Sequence, residues 1–266
     1  PVELPGFKFD GKKIISSTEA LYLNKIPKNL AVIGGGYIGL ELGTVYAKLG
    51  SKVYVIEMTG QLLPGFDKEI VNVLQKNLEN LGVDIHLNSK ANKFENGKIY
   101  LESKENGNVA INTDNVLVAV GRIPVTDTLG LENTKVELDD KGFIKVDENL
   151  MTDDECIYAI GDVSVGPMLA HKASRQGKFV AGVIAGKKDS YENVVVPAVI
   201  FTDPEIATVG IDEQEAKDRG IKIKTGKFPL SASSRAMTKM QTEGFVKVIA
   251  DKNTNKILGV QIVGSE

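Results

Sequence analysis

Three glycines in the stretch VIGGGYIGLE, Gly34, Gly36 and Gly39, together with one carboxylate, Glu57, have the types and spacing to bind a dinucleotide. In a G-x-G-x-x-G run the first glycine permits a tight strand-to-helix turn. The second lets the backbone approach a pyrophosphate, and the third lets helix and strand pack closely. The start of the following helix then offers free N–H groups and a partial positive charge to phosphate. A carboxylate some twenty residues on, at the end of the next strand, is placed to accept hydrogen bonds from ribose hydroxyls. Met58, Thr59 and Gly60 supply no Arg or Lys for a 2′-phosphate, so the pattern favours NAD over NADP.

Such a run means little outside its proper elements, because many glycine-rich turns only connect strands and helices. Here NLAVIGG reads as a buried parallel strand, and LELGTVYAKLG puts Leu42, Val45, Tyr46 and Leu49 at helical spacing ahead of a stop glycine. SKVYVIE is the second strand, completing a βαβ unit that ends on Glu57.

Around this core the chain is ordinary in bulk. Its 266 residues suffice for two or three domains, and 42% are hydrophobic and 25% charged. A net charge of −3 with both signs interspersed argues against a nucleic-acid surface. The longest apolar run, around Val194 to Phe201, is interrupted by Pro197 and is too short to span a bilayer. With no signal peptide, and with Cys156 as the one cysteine, no internal disulfide is possible and a cytoplasmic location is expected. The first residues, PVELPGFKFDG, read as a chain joined partway through a loop, and we expect a piece of a longer polypeptide.

Pro1 to Lys28 reads as a connecting segment with a short helix around Glu19 to Leu23. A helix from Asp67 to Leu81, capped by Asp67 and stopped by Gly82, leads into the strand VDIHL. Three short strands follow, with asparagine-glycine turns at Asn96-Gly97 and Asn106-Gly107. NVLVAVG then returns to the parallel sheet, CIYAIGDV reads as a strand, and SRQGKFVAGVIAG as a buried helix. From Val194 on the pattern is antiparallel, with strands near 196–201, 207–211, 245–250 and 257–263 and a helix from an Asp212 cap to Arg219.

VIGGGYIGLELG, VAVGRIP, YAIGDV, MLAHKASRQGK, VPAVIFTDPEIATVG and SRA occur in the order seen in flavoprotein disulfide reductases, and the chain resembles that family over its whole length. Within it the dihydrolipoamide dehydrogenase branch is nearest. The resemblance implies an α/β fold: a Rossmann-type NAD-binding domain (29–147) inserted in an FAD-binding domain (end of a first segment and linker at 1–28, second segment at 148–193). Part of an α+β dimerisation domain (194–266) would follow. It also implies FAD and NAD as cofactors and a homodimer. The substrate would be the dihydrolipoamide of a lipoyl domain, in a 2-oxoacid dehydrogenase or glycine cleavage complex; no metal, nucleic acid or membrane is implied.

By the same resemblance Gly34, Gly36, Ile38, Gly39 and Glu57 hold NAD, with Gly121 beside the nicotinamide half. Tyr37 covers the nicotinamide pocket, Glu41 pairs with a lysine near the flavin, and Asp162 accepts from the ribityl hydroxyls of FAD. Leu169, Ala170 and His171 form the helix start whose N–H groups face the flavin. From the residues alone Asp162 has a turn or cap as its lesser reading, His86 reads as a plain strand residue, and Cys156 as a packing thiol. Arg122 and Arg235 read as polar loop residues. The family's cysteine pair, its earlier FAD fingerprint and its C-terminal His-Pro base have no match here, so no catalytic residue is assigned in this chain. The alternatives are a mercuric, glutathione-type or coenzyme A disulfide reductase, or a non-catalytic NAD-binding module.

Overall fold

The computed structural model describes residues 1–187, 190–191 and 194–265; Asn193, where the second FAD-domain segment is expected to end, lies outside the described residues, as does Glu266. Two compact units are formed, one from Pro1–Gly121 with Pro197–Glu266, the other from Arg122–Val196.

The first unit opens with a strand that the sequence does not announce, β1 (Ile14–Ile15), and then a short helix α1 (Ser17–Ala20). This helix starts earlier than its apolar residues suggest, because Ser16 and Glu19 form a capping box. The βαβ unit follows as β2 (Asn29–Ile33), α2 (Tyr37–Lys48) and β3 (Lys52–Ile56). Helix α3 (Lys68–Asn80) starts at the expected Asp67 cap, whose carboxylate accepts from the Glu69 N–H, and leads to β4 (Asp84–His86). A three-stranded antiparallel sheet of β5 (Ser89–Glu95), β6 (Lys98–Ser103) and β7 (Gly107–Asn112) precedes β8 (Asn115–Val118). At Asn96-Gly97 both residues take positive φ (52° and 72°), as a two-residue hairpin turn of type I′ requires. Asn106 instead ends a longer loop, and Gly107 (φ 65°) begins β7.

The parallel sheet has the order β1-β8-β2-β3-β4, so the chain moves outward from β2 in both directions and leaves a crevice at the C-terminal ends of β2 and β8. Both faces are covered, which is why these strands read as continuous apolar runs. Leu30, Val32, Val53, Val55 and Leu117 pack on the helices, while Ala31, Ile33, Ile56, Val116 and Val118 pack with Phe7, Ile99 and Leu101 on the other side. Helix α2 presents Gly39, Leu40, Gly43, Thr44 and Tyr46 to the core, whereas Val45 and Leu49 are about half exposed. Tyr46 is buried as expected, but the stripe is otherwise turned toward Gly39 and Gly43, whose Cβ positions approach Val32 of β2.

The second unit contains one long helix, α4 (Ala170–Ile184). Only Lys172, Gln176, Phe179 and Val180 are buried, so it is one-sided rather than buried all round, and it starts four residues before Ser174. The strand expected at CIYAIGDV is not formed. Tyr158 makes a single bridge to Met151, and Gly161 (φ 73°) turns the chain into one turn of 3-10 helix, Gly161–Val163. Cys156 is exposed in a turn rather than buried as a packing thiol, against expectation.

The rest of the first unit is an antiparallel sheet of order β11-β12-β13-β10-β9, built from β9 (Ala198–Ile200), β10 (Glu205–Gly210), β11 (Ile223–Pro229), β12 (Phe245–Asp251) and β13 (Ile257–Gly264). Helix α5 (Glu213–Asp218) has its Asp212 cap, and α6 (Ser234–Thr238) is capped by Ser233 and takes Arg235 out of the loop expected for it. Ile200, Ile206, Phe245 and Val263 from this sheet share one core with Leu74 and Leu78 of α3.

Candidate functional site

At the C-terminal end of β2 the three fingerprint glycines differ in what a side chain would meet. A Cβ on Gly34, which has φ 105°, would lie 2.5 Å from the Ala119 carbonyl oxygen; on Gly39 it would lie 2.3 Å from the Gly34 carbonyl oxygen and 3.0 Å from Val32 Cγ1. Both must be glycine for packing reasons alone. Gly36 caps α2 with ordinary φ (−79°) and has nothing within 4 Å of the same position. It contributes no side-chain cap, so the start of α2, with its partial positive charge, lies beside this open space. The residues present therefore fit a phosphate group at the helix start.

Gly35, which the fingerprint leaves unspecified, carries the site's most constrained contact. Its N–H donates to Glu57 Oε2 at 2.7 Å, and its Cβ position is 2.8 Å from Leu62 Cδ2 and 3.2 Å from Glu57 Cβ. The signal was a run of three glycines where the motif needs only two. Glu57 is 8% exposed, and its Oε1 accepts from the Thr59 N–H at 2.7 Å. A carboxylate has about four acceptor positions, so two remain for ribose hydroxyls. Glu57 therefore locks the turn and keeps capacity for a ligand.

Tyr37 and Ile38, in the first turn of α2, are half-buried, and Tyr37 packs on the main core. The Glu41 carboxylate accepts from the Phe201 N–H at 2.9 Å, holding the segment after β9; the lysine the resemblance pairs with it is not its described partner. Gly121, with φ 137°, accepts from the Val2 N–H through its carbonyl at 3.0 Å. His86 lies in β4 as expected, with Nε2 3.5 Å from Asp84 Oδ1.

In the second unit Asp162 is exposed on the Gly161–Val163 turn, and Leu169, the α4 N-cap, offers no side-chain bond to the helix start. Ala170 and His171 are exposed there. Two buried polar side chains fix this arrangement, and neither was singled out from the sequence. Gln176 Oε1 accepts from the Gly161 N–H at 2.7 Å, and the Lys172 ammonium, 3% exposed, donates to the carbonyls of Ser164 and Val165, both at 3.4 Å. Burial pulls the Lys172 pKa down, opposed by the charge of Asp162. The available signal was Lys172 and Gln176 four apart on the face that carries Phe179 and Val180.

A glycine turn at the switch point of a parallel sheet, a buried carboxylate after the next strand, and an antiparallel sheet packed on the same core define a dinucleotide-binding α/β protein with an appended sheet domain. The chain belongs to the pyridine nucleotide-disulphide oxidoreductase family, whose sequence profile matches residues 1–177, while that of the family's dimerisation domain matches residues 196–266. It is 45% identical to dihydrolipoyl dehydrogenase 3 of Haloarcula marismortui over 274 residues, and 45% identical to the dihydrolipoyl dehydrogenase of Geobacillus stearothermophilus over 267. These alignments cover 100% and 99% of the chain and 57% of each relative, so the chain spans little more than half their length. Among solved structures it is similar to LpdA from Mycobacterium tuberculosis (TM-score 0.89, 28% identity, covering 99% of this chain and 58% of that one). It is also similar to the flavoprotein disulfide reductase RclA from Escherichia coli (TM-score 0.85, 31% identity, 95% and 58% covered). No helix among the described residues is long and apolar enough to cross a membrane.

Proposed function

We propose that the chain supplies the NAD site, part of the FAD site and the dimerising sheet of a cytoplasmic dihydrolipoyl dehydrogenase. The whole protein would oxidise the dihydrolipoamide of a lipoyl domain, in a 2-oxoacid dehydrogenase or glycine cleavage complex, and reduce NAD, giving lipoamide, NADH and a proton. The observation that carries the reading is the buried Glu57 carboxylate, held by the Gly35 and Thr59 N–H groups beside the open face of Gly36. Gly34, Gly36, Ile38, Gly39 and Glu57 would hold NAD, with Gly121 and Tyr37 toward its nicotinamide half. Asp162 and the α4 start at Leu169, Ala170 and His171 would hold FAD. When bound, FAD supplies a two-electron relay between a dithiol and the nicotinamide. Negative charge on the flavin would be stabilised by the N-terminus of α4, whose partial positive charge is fixed before reaction.

The activity test is dihydrolipoamide-dependent NADH formation. A polypeptide of the relatives' full length should show it, and the 266-residue chain should not, since an exposed lone Cys156 cannot cycle through an intramolecular disulfide. NADH formation by this chain would refute the assignment of dithiol chemistry to other residues. Preference of the full-length protein for glutathione disulfide, coenzyme A disulfide or mercuric ion would favour the related reductases, and RclA similarity makes that comparison worth running.

For the homodimer, the support is the outer face of the antiparallel sheet. Phe228, Val246 and Ile262 lie in one cross-strand row, and Val248, Val260 and Val209 in the next. All six are half-buried or exposed, while the alternate residues Phe245, Lys247, Ile249, Gln261 and Val263 are buried. Such a continuous apolar face fits a self-complementary two-fold contact. The full-length protein should scatter light as a dimer at micromolar concentration, and Ile262→Glu should shift it toward monomer. A strictly monomeric wild type counts against this reading.

A further inference from the structure

Lys247 is the least exposed charged side chain among the described residues. It lies on β12 at 2% exposure, facing away from the open sheet surface. Its ammonium meets Asp67 Oδ2 at 2.5 Å, Glu69 Oε2 at 2.9 Å and Glu213 Oε1 at 3.8 Å. Lys227 adds a second cation, 3.2 Å from Glu69 Oε1. Asp67 thus has two tasks, since its other oxygen caps α3 through the Glu69 N–H at 2.7 Å.

Between Glu57 and Asp67 runs the segment that walls the fingerprint turn. Leu63, 2% exposed, sits in the left-handed region (φ 46°), where a residue with a Cβ is strained, and its N–H donates to the Gly35 carbonyl at 2.8 Å. Leu62, fully buried, packs on the Gly35 Cα. A strained conformation persists only where its surroundings over-determine it. One end of the segment is held by the Glu57 carboxylate on the Thr59 N–H. Asp67 holds the other end, and Asp67 is fixed by Lys247.

We infer that Lys247 is a positioning residue for the adenosine end of the dinucleotide site, acting through Asp67 on the strained Leu63 turn that holds Gly35 against Glu57. The inference rests on the dinucleotide reading of Glu57. Without the ammonium, Asp67, Glu69 and Glu213 form an acidic cluster at the α3 start, and the ion pair left to it among the described residues is Lys227 on Glu69. The cap then loosens and the turn relaxes away from Gly35. A residue of the sheet domain thereby sets the nucleotide affinity of the parallel-sheet domain.

The test is calorimetric titration with ADP-ribose, well below the melting temperature, on wild type, Lys247→Met, Lys247→Arg and Asp67→Asn. Hydrogen exchange over residues 58–66 is read alongside. Asp67→Asn keeps an equally good cap and replaces the carboxylate oxygen on Lys247 with a neutral amide NH2, breaking that ion pair, so it decides the matter if Lys247→Met fails to fold. Lys247→Met and Asp67→Asn should each weaken ADP-ribose about 10-fold and speed exchange of the Leu63 amide, and Lys247→Arg should restore most of both. Folded Asp67→Asn with wild-type affinity and exchange overturns the role of Lys247 alone. Wild type that binds no ADP-ribose overturns the dinucleotide reading, and this inference with it.

Discussion

Gly39→Ala is expected to remove measurable dinucleotide binding and to lower stability by about 3 kcal/mol, the upper range for overpacking a closely fitted core. The added methyl would stand 2.3 Å from the Gly34 carbonyl oxygen and 3.0 Å from Val32 Cγ1. Neither neighbour can yield, because Val32 is fully buried and Gly34 is held in the left-handed region with its N–H on the Ile56 carbonyl at 2.9 Å. Helix α2 must then move off β2, carrying its N-terminus away from the crevice. Gly36→Ala is the informative contrast. Its φ of −79° suits alanine and no atom lies within 4 Å, so stability should fall by no more than about 1 kcal/mol, the preference for glycine over alanine at an N-cap. The methyl would occupy the space read as the pyrophosphate position, and NAD affinity should fall about 100-fold, equivalent to roughly 2.7 kcal/mol. Thermal melts and NAD titrations of the two variants check this. Unimpaired NAD binding by Gly36→Ala contradicts the phosphate placement.

NAD should be preferred over NADP by about two orders of magnitude or more. Each charge-assisted hydrogen bond from a ribose hydroxyl to Glu57 contributes roughly 1.5 to 3 kcal/mol, and each 1.4 kcal/mol is a factor of ten. A 2′-phosphate there would meet like charge, with Met58, Thr59 and Gly60 offering no cation. Met58 is 68% exposed, so Met58→Arg can place a guanidinium at the site without disturbing the core, and it should begin to recruit NADP. Glu57→Ala should erode the preference mainly by weakening NAD. It also strips two backbone N–H groups of their acceptor, so it should lower stability, an effect the sequence alone does not suggest. Equal kcat/KM of the full-length protein for the two coenzymes would show that Glu57 does not read the ribose.

What was legible in the sequence is what elementary sterics and capping chemistry dictate locally. Gly34 and Gly39 are glycine because backbone and side-chain atoms occupy the Cβ positions, Asp67 and Asp212 cap helices, and Asn96-Gly97 forms a hairpin turn. Features set by distant partners were not legible. Strand β1 is two residues long and exists through pairing with Val116 and Leu117, about one hundred residues away. Strand β11 is an edge strand exposed along nearly its whole length, so it shows no alternation of apolar and polar residues. Val45 and Leu49 match the spacing of an apolar stripe, yet α2 turns its small residues inward. Lys247 and Lys172 draw no reading from the sequence, because tertiary structure brings the carboxylates and carbonyls around them. At the site, the pair Gly34 and Gly39 was found by motif, but the Gly35–Glu57 contact that holds the turn follows from the fold.

The most direct measurement is hydrogen exchange of the 266-residue chain with and without saturating NAD. Bound dinucleotide should slow exchange at the turn and helix start, residues 34–40, and at the segment from Glu57 to Leu63, with little change along the outer sheet strand β11. Exchange at both of those segments that is indifferent to NAD, or protection confined to other regions, would contradict the assignment of this turn as the nucleotide site.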